Sequence, residues 1–484
     1  MIPEQALERA DRSVWKPNGG NGASDAHAEG PIPPVPQTLA DTHLSPFFVS
    51  DLILKTLYSR GVLRGTQLVD LLRLPFGLID DILLDLQARR FVEVRGTEGH
   101  GRQSYLFSLT AEGRVRAKEA REVSPYVGPA PVTGSGYRHW TARQSLRTVR
   151  IPPEQIRKGL SHMVLPEDFH ERVGPGINAG RSIFLYGAPG NGKTELAFAI
   201  ARVMESTIFI PRMVELAGEI VSLYDPYLHE VVDDGGSPEP DEDAPLYSEW
   251  PRFDPRFVRI RRPSIVVGGE LILDDLDLQY DRHTGIHSAP PQMKANGGVF
   301  VIDDFGRQRV HPRDLLNRWM IPLDKGVDFL AMNTGHKLTV PFDCLVVFST
   351  NLNPHDLVEE AFLRRIRYKL EVRNPTPEEY TEIFRRVCEG QGIEFDPAAV
   401  DLIYENYYNR GELEPRACHP RDVIADLVDT ALYLGRRPML KPELVAAACE
   451  SYFPSVSLRE AYESRRGDQP RVAERRGASP REVG

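Results

Sequence analysis

The feature that most constrains this 484-residue chain is a glycine-rich loop between a predicted buried strand and a predicted helix. The apolar run 182–186 predicts the strand, and the stretch from Glu195 to Ala201 predicts the helix. Glycines in such a loop let backbone N–H groups turn inward around phosphate oxygens, and the helix N-terminus adds partial positive charge. The sequence therefore predicts a nucleotide-binding loop. Its residues are Gly187, Ala188, Pro189, Gly190, Asn191, Gly192, Lys193 and Thr194.

Three side chains at the end of this loop have predicted contacts with nucleotide or metal. Lys193 is expected to reach the β- and γ-phosphates of ATP, and the Thr194 hydroxyl is expected to ligate Mg²⁺. Glu195 is grouped with them as a nucleotide-binding residue. A chance glycine-rich turn is the alternative, and it arises in on the order of one in fifty chains of this length. The flanking strand and helix favour the functional interpretation.

Two carboxylates follow another predicted strand, at 299–302. The carboxyl ends of parallel strands are where ligands sit, so Asp303 is predicted to hold Mg²⁺ through water, and Asp304 to polarise the attacking water. Taken alone, two aspartates after a strand are a turn signal, but together with the loop they favour catalysis. Asn351 ends a further predicted strand, where it could orient that water, touch the γ-phosphate or simply terminate the strand.

These three elements, in this order, resemble the AAA+ ATPase family over about 148–455. The resemblance implies ATP hydrolysis in a homo-oligomeric ring, where an arginine of one subunit reaches the nucleotide of the next. Arg365 is the first candidate for this finger and Arg364 the second; a basic helix end is the alternative. The resemblance also implies a sensor arginine near the start of a lid helix, at Arg421.

Flanking segments resemble the AAA+ branch that contains MoxR proteins, magnesium chelatase and bacterial enhancer-binding activators. The segments are 294–299, 315–326 and an expected hairpin from Gly335 to Pro341. The resemblance implies extra elements that push on a substrate, for which 256–269 is a candidate. Asp304 stands where most members have Glu, and its shorter side chain leaves slow turnover open. Some AAA+ groups carry two aspartates here, so the difference does not exclude hydrolysis.

The first folded part, 44–120, has apolar spacing that predicts three helices and then a hairpin, as in a winged helix. A winged helix that reads DNA places its third helix in the major groove. Here that helix carries Asp80, Asp81 and Asp85, which would repel phosphate. Protein binding and nucleic-acid binding both stay open, because basic residues lie near the expected wing: Arg95, His100 and Arg102.

Composition sets the remaining boundaries. Residues 1–43 and 456–484 are expected to be disordered. Proline and glycine predict a linker at 121–147. Alternating strand and helix patterns predict an α/β ATPase domain at 148–375, and 376–455 is predicted to be a helical lid domain. The expected fold class is therefore α/β, a P-loop AAA+ domain between the winged-helix-like domain and the lid.

The net charge of −10 argues against a surface built as a whole for nucleic acid, although it allows a local basic patch. Four scattered cysteines predict neither a disulfide framework nor a zinc site. The N-terminus lacks an apolar signal core and no stretch reaches the length of a membrane helix, so we expect a soluble, cytoplasmic protein without a membrane partner. The acidic run 233–243 is expected to be an exposed insertion.

Two functional hypotheses follow. The first is a chaperone-like ATP-driven remodeller of an unknown protein or nucleoprotein substrate. The second is a nucleotide-dependent DNA-binding regulator or loader that uses 44–120. A scaffold that binds ATP without hydrolysing it is a third, which the intact motif set disfavours.

Overall fold

The computed structural model describes residues 31–204, 206–232, 252–332, 337–357, 363–409 and 413–453. The acidic run 233–243, the expected hairpin turn at Gly335, the expected disordered tail and most of the expected disordered N-terminus lie outside these ranges, as do residues 358–362 beside the candidate finger arginines.

The described helices alternate with strands only in the middle of the chain, and helices alone follow residue 376. The helices are α1 (Pro46–Arg60), α2 (Gly65–Leu72), α3 (Phe76–Ala88), α4 (Ala111–Val123), α5 (Gly134–Arg143), α6 (Pro153–Gly159), α7 (Phe169–Ala179), α8 (Lys193–Val203), α9 (Pro291–Lys294), α10 (Pro312–Lys325), α11 (Pro354–Leu357), α12 (Pro377–Gly390), α13 (Pro397–Ile403), α14 (His419–Tyr433) and α15 (Pro442–Tyr452). The strands are β1 (Leu63–Arg64), β2 (Val92–Thr97), β3 (Tyr105–Leu109), β4 (Val132–Thr133), β5 (Ile183–Tyr186), β6 (Thr207–Pro211), β7 (Met213–Leu216), β8 (Glu219–Ser222), β9 (Phe257–Arg261), β10 (Ser264–Val267), β11 (Gln279–Asp281), β12 (Ile286–Ser288), β13 (Val299–Ile302), β14 (Val327–Ala331), β15 (Lys337–Pro341), β16 (Leu345–Thr350) and β17 (Tyr368–Glu371).

A five-stranded parallel sheet forms the centre of the α/β part, in the order β10-β13-β16-β5-β17. Its strands β13 and β16 are fully buried, because helices cover both faces of a sheet of this type. The α/β fold class predicted from the sequence is confirmed. The parallel arrangement brings the carboxyl ends of β5, β13 and β16 to one edge.

A second, mixed sheet was not predicted. Its order is β11-β12-β8-β7-β4, and the antiparallel pairs β6–β9 and β14–β15 lie beside it. One apolar core joins these strands, with buried residues such as Val214, Val258, Leu330 and Val340. Strands β7 and β8 of this sheet, together with the pair β6–β9, lie between α8 and β10 in the chain, so the segment 256–269 is divided. Its first part forms β9, and its later part forms β10 of the central sheet.

The structure differs from the linker expected at 121–147, because this region contains β4 and α5. The Thr133 hydroxyl accepts a hydrogen bond from the Gly136 N–H and so caps α5. A Cβ on Gly134 would stand 2.8 Å from Leu216 Cδ2. Gly134 therefore allows the start of α5 to pack closely against β7. The linker was expected because glycine in a sequence usually indicates a loop.

The N-terminal part contains α1 to α3 followed by the hairpin β2–β3, in the predicted order, and β1 completes an antiparallel sheet. Its designation as a winged helix stays a prediction. The C-terminal part is helical, as predicted, around buried residues such as Tyr380, Phe384, Leu427 and Val445. No helix in the described ranges combines the length and apolarity needed to cross a membrane.

Candidate nucleotide site

The glycine-rich loop connects the carboxyl end of β5 to the first residue of α8. Gly187, Gly190 and Gly192 have φ angles of 142°, 84° and 79°. A Cβ on Gly187 would stand 2.3 Å from the Val372 carbonyl oxygen, and one on Gly190 would stand 2.6 Å from Cys418 Sγ. Glycine is therefore required at both positions, because the loop backbone packs closely against the residue after β17 and the segment before α14.

Lys193 places a buried cation inside this loop. Its side chain amine donates hydrogen bonds to the carbonyl oxygens of Gly187 at 3.0 Å and Ala188 at 2.8 Å. Burial lowers the pKa of Lys193, while Asp303 and Asp304 act in the opposite direction. The loop thus holds a positive charge beside its own carbonyl dipoles and two carboxylates. A positive charge at this position suits the binding of an anionic phosphate.

The predicted metal ligands lie in contact. Thr194 Oγ1 donates to Asp303 Oδ2 at 2.8 Å, and the Asp303 carbonyl accepts from Gln308 Nε2 at 2.8 Å. A hydroxyl and a carboxylate are hard oxygen ligands of the kind that Mg²⁺ prefers. The described residues contain no cluster of three or more His, Cys, Asp or Glu side chains able to hold a metal. A magnesium ion here would therefore need phosphate oxygens or water to complete its coordination.

Asp304 and Asn351 meet at the same edge of the sheet. Asn351 Nδ2 donates to Asp304 Oδ1 at 3.0 Å, and Asp304 adopts a left-handed φ of 47°. The turn is held because the Phe305 N–H donates to the Ser349 carbonyl at 2.7 Å. Asp and Asn enter the left-handed region far more readily than other side chains. This backbone conformation therefore favours Asp over Glu at position 304.

The helical part contacts the loop through residues just before α14. The Cys418 N–H donates to the Gly190 carbonyl at 2.8 Å. Arg416 Cδ lies 3.6 Å from the point where a Cβ on Gly190 would stand. Arg421 instead has a side chain that is 74% exposed and paired with Asp422. The structure therefore brings Arg416 to the loop, whereas the side chain of the predicted sensor Arg421 is largely exposed beside Asp422.

We expect Arg416→Ala to raise the ATP KM by about tenfold or more, because a hydrogen bond to a charged phosphate would be lost. Arg421→Ala is the matched control, and it should change the KM by less than about threefold, since exposed ion pairs contribute little. Steady-state ATP titrations of both variants measure the difference. A larger effect from Arg421 would restore the sequence-based assignment.

The candidate finger lies at the opposite end of the sheet from the loop. The Arg365 carbonyl accepts a hydrogen bond from Ser182 Oγ, just before the amino end of β5, and Arg365 Nε donates to Asp324 Oδ2 at 2.7 Å. The residues of β5 rise ~3.3 Å each, so its two ends are about 10 Å apart. Arg365 is thus poorly placed to serve the loop of its own chain. Arg364 is exposed beside it.

Glu195 does not join the groups at the loop. Its carboxylate pairs with Arg202 and lies 3.3 Å from His162 Nε2, on the outer surface of α8. The structure therefore brings Lys193, Thr194, Asp303, Asp304 and Asn351 together, and adds Arg416. Two arginines five positions apart flank the same His-Pro pair, and nothing in the sequence says which one faces the loop.

The sheet order, the loop after β5 and the helical C-terminal part define an α/β P-loop fold of the AAA+ type. A family described as a domain of unknown function, DUF8689, matches residues 376–451, which lie within the helical part. No curated protein matches the sequence.

Two solved structures are similar to this chain at low identity and low TM-score. RuvB of Thermotoga maritima, described as a Holliday junction branch migration motor, is 16% identical over 63% of this chain and 73% of its own, with a TM-score of 0.31. NtrX of Brucella abortus in complex with ADP is 15% identical over 73% of this chain and 64% of its own, with a TM-score of 0.33. Likeness at this level assigns no activity to this chain.

Proposed function

We propose that this chain is an ATP-hydrolysing AAA+ protein that couples its nucleotide cycle to remodelling of a protein or nucleoprotein partner. One observation carries the proposal. A buried lysine, a hydroxyl–carboxylate pair and a second carboxylate with its own asparagine partner converge where β5, β13 and β16 end. Phosphoryl transfer needs these groups, since its catalysis is mainly positioning and charge neutralisation.

Each group has a distinct task in this proposal. Lys193 exchanges its loop carbonyl contacts for phosphate oxygens, and the loop N–H groups bind the same phosphates. Thr194 and Asp303 would hold Mg²⁺, which supplies neutralising charge to the phosphates. Asp304 accepts a hydrogen bond from the attacking water and polarises it, and Asn351 fixes the orientation of the Asp304 carboxylate.

The surface of α3 favours a protein partner over DNA. Arg102 Nε donates to both carboxylate oxygens of Asp80, at 2.8 and 2.9 Å, so this wing cation is already paired. Asp81 and Asp85 remain exposed, and Leu84 between them is 47% exposed. Asp85 pairs with Arg89, and Asp80 with Arg102. This surface therefore offers phosphate few free cations, and its exposed leucine beside Asp81 can contact a protein. The DNA-binding regulator or loader stays the alternative.

The second sheet is the proposed element that acts on the partner. Strands β14 and β15 pack on it through Leu330 and Val340. We also propose that the chain belongs to the branch that contains MoxR proteins and magnesium chelatase. In this proposal it assembles into a homo-oligomeric ring and is located in the cytoplasm.

The test separates ATP binding from chemistry. We expect Asp304→Asn to keep ATP affinity within about threefold and to lose turnover by about a hundredfold or more, because only the charge that polarises water is removed. Asn fits the left-handed backbone at this position and can still accept from Asn351, so the fold should be retained. Binding of a fluorescent ATP analogue and phosphate release measure the two quantities.

Asp314→Asn is the control, since it neutralises an exposed carboxylate in the first turn of α10. It should bind and hydrolyse ATP like the parent chain. Normal phosphate release by Asp304→Asn would assign the catalytic role to another acid.

A further inference from the structure

The side chain of Asn191 in the phosphate loop contacts protein groups that lie outside the loop. It is 5% exposed, and both ends of its amide are used. Nδ2 donates to Asn374 Oδ1 at 2.7 Å, and Oδ1 accepts from the Ala417 N–H at 3.2 Å. The side chain of Asn191 therefore binds protein groups on two different segments, and the predicted nucleotide contact is left to its backbone N–H.

The first of these segments is the connection between the central sheet and the helical part. Asn374 lies after β17 and before α12. Asn374 Nδ2 donates in turn to Glu414 Oε2 at 2.7 Å. These hydrogen bonds link three segments in a ring. Asn191 of the loop binds Asn374 of the connection, and Asn374 binds Glu414. Ala417, three residues after Glu414, binds Asn191 and closes the ring.

The second segment, 414–418, is fixed to the core of the helical part. The Arg416 N–H donates to His419 Nδ1 at 3.3 Å, and the same nitrogen is 2.7 Å from the Tyr408 hydroxyl. Burial lowers the pKa of His419 to about 4, which keeps this nitrogen an acceptor at neutral pH. A movement of the helical part would therefore carry the 414–418 segment with it.

We infer that Asn191 is a positioning residue that makes retention of the nucleotide depend on the position of the helical part. The inference rests on the proposed ATP site. Displacement of the helical part breaks the hydrogen bond from the Ala417 N–H and pulls Glu414 away from Asn374, the other partner of the Asn191 amide. The docked helical part therefore contributes to holding the phosphate loop in its present shape.

The direct test is the rate at which bound nucleotide leaves. We expect Asn191→Ala in the full chain to release a fluorescent ADP analogue about tenfold faster, as two buried hydrogen bonds are lost.

Asn296→Ala is the matched structural control. Asn296 is 6% exposed, and its amide donates to Tyr137 Oη at 2.7 Å and accepts from the Asp343 N–H at 2.7 Å. This variant should lose thermal stability as Asn191→Ala does, but it should release nucleotide at the parent rate. Equal acceleration in both variants would show that general destabilisation is the cause, and would overturn the inference.

A compensating pair tests the path itself. Asn374→Asp keeps an oxygen for Asn191 but places a carboxylate against Glu414, so release should accelerate by about tenfold. Adding Glu414→Gln supplies an amide donor to that carboxylate and should return the rate to the parent value. Failure of this rescue, or a parent-like rate in Asn191→Ala, overturns the inference. If the parent chain binds no nucleotide, the proposed function fails with it.

Discussion

Lys193→Ala is expected to lose ATP binding and hydrolysis together. The ammonium group is buried and lies in contact with the carbonyls of Gly187 and Ala188, and no other lysine lies in the loop. Removing such a preorganised charge should lower turnover by at least about a hundredfold, and ATP affinity by at least about tenfold. Phosphate release and binding of a fluorescent ATP analogue check both values.

Lys55→Ala is the matched control, because Lys55 is also a lysine almost fully buried, at 3% exposure, but lies in α1. Its amine donates to the Ser124 carbonyl at 3.0 Å. The variant should lose stability and keep ATP binding. A Lys193→Ala protein that binds and hydrolyses ATP like the parent would show that the loop is not the nucleotide site.

Arg365→Ala is expected to be nearly inactive although its own Lys193, Asp303 and Asp304 are intact. Removal of a finger arginine costs about a thousandfold or more in rate. The ion pair with Asp324 is partly exposed, so Arg365 can leave it at little cost to reach a neighbouring subunit. Phosphate release at several protein concentrations measures this, and the specific activity of the parent chain should rise with concentration.

Mixing Arg365→Ala with Lys193→Ala should restore part of the activity. One subunit then supplies an intact finger, and the next supplies an intact phosphate loop. An arginine that acts within its own chain gives no rescue. If the two variants assemble together and the mixture remains inactive, the trans role of Arg365 is wrong, and Arg364 becomes the candidate to substitute.

The central site was predictable because its signals are local in the chain. The glycine-rich loop lies between a strand and a helix within 20 residues, 182–201, and the apolar runs before Asp303 and Asn351 are strands buried on both faces. Parallel pairing then brings the ends of such strands to one edge whatever else the fold contains. The pairing of Asp304 with Asn351 follows from this rule.

The missing parts depend on contacts between residues far apart in the chain. Asn191 and Asn374 are 183 positions apart, and no periodic pattern connects them. Arg416 and Arg421 have similar sequence surroundings. The docking of the helical part on Gly190 shows that Arg416 is the one that lies beside the loop. The second sheet was missed because its short strands come from segments separated by long stretches of chain.

The proposed ATPase activity is tested most directly by phosphate release from the full-length parent chain at saturating ATP. The account predicts turnover that requires Mg²⁺, stops when EDTA removes the metal, and is absent from a Lys193→Ala preparation purified in parallel. Turnover that is equal in the parent and in Lys193→Ala, or a parent chain that neither binds nor hydrolyses ATP with Mg²⁺ present, would contradict it.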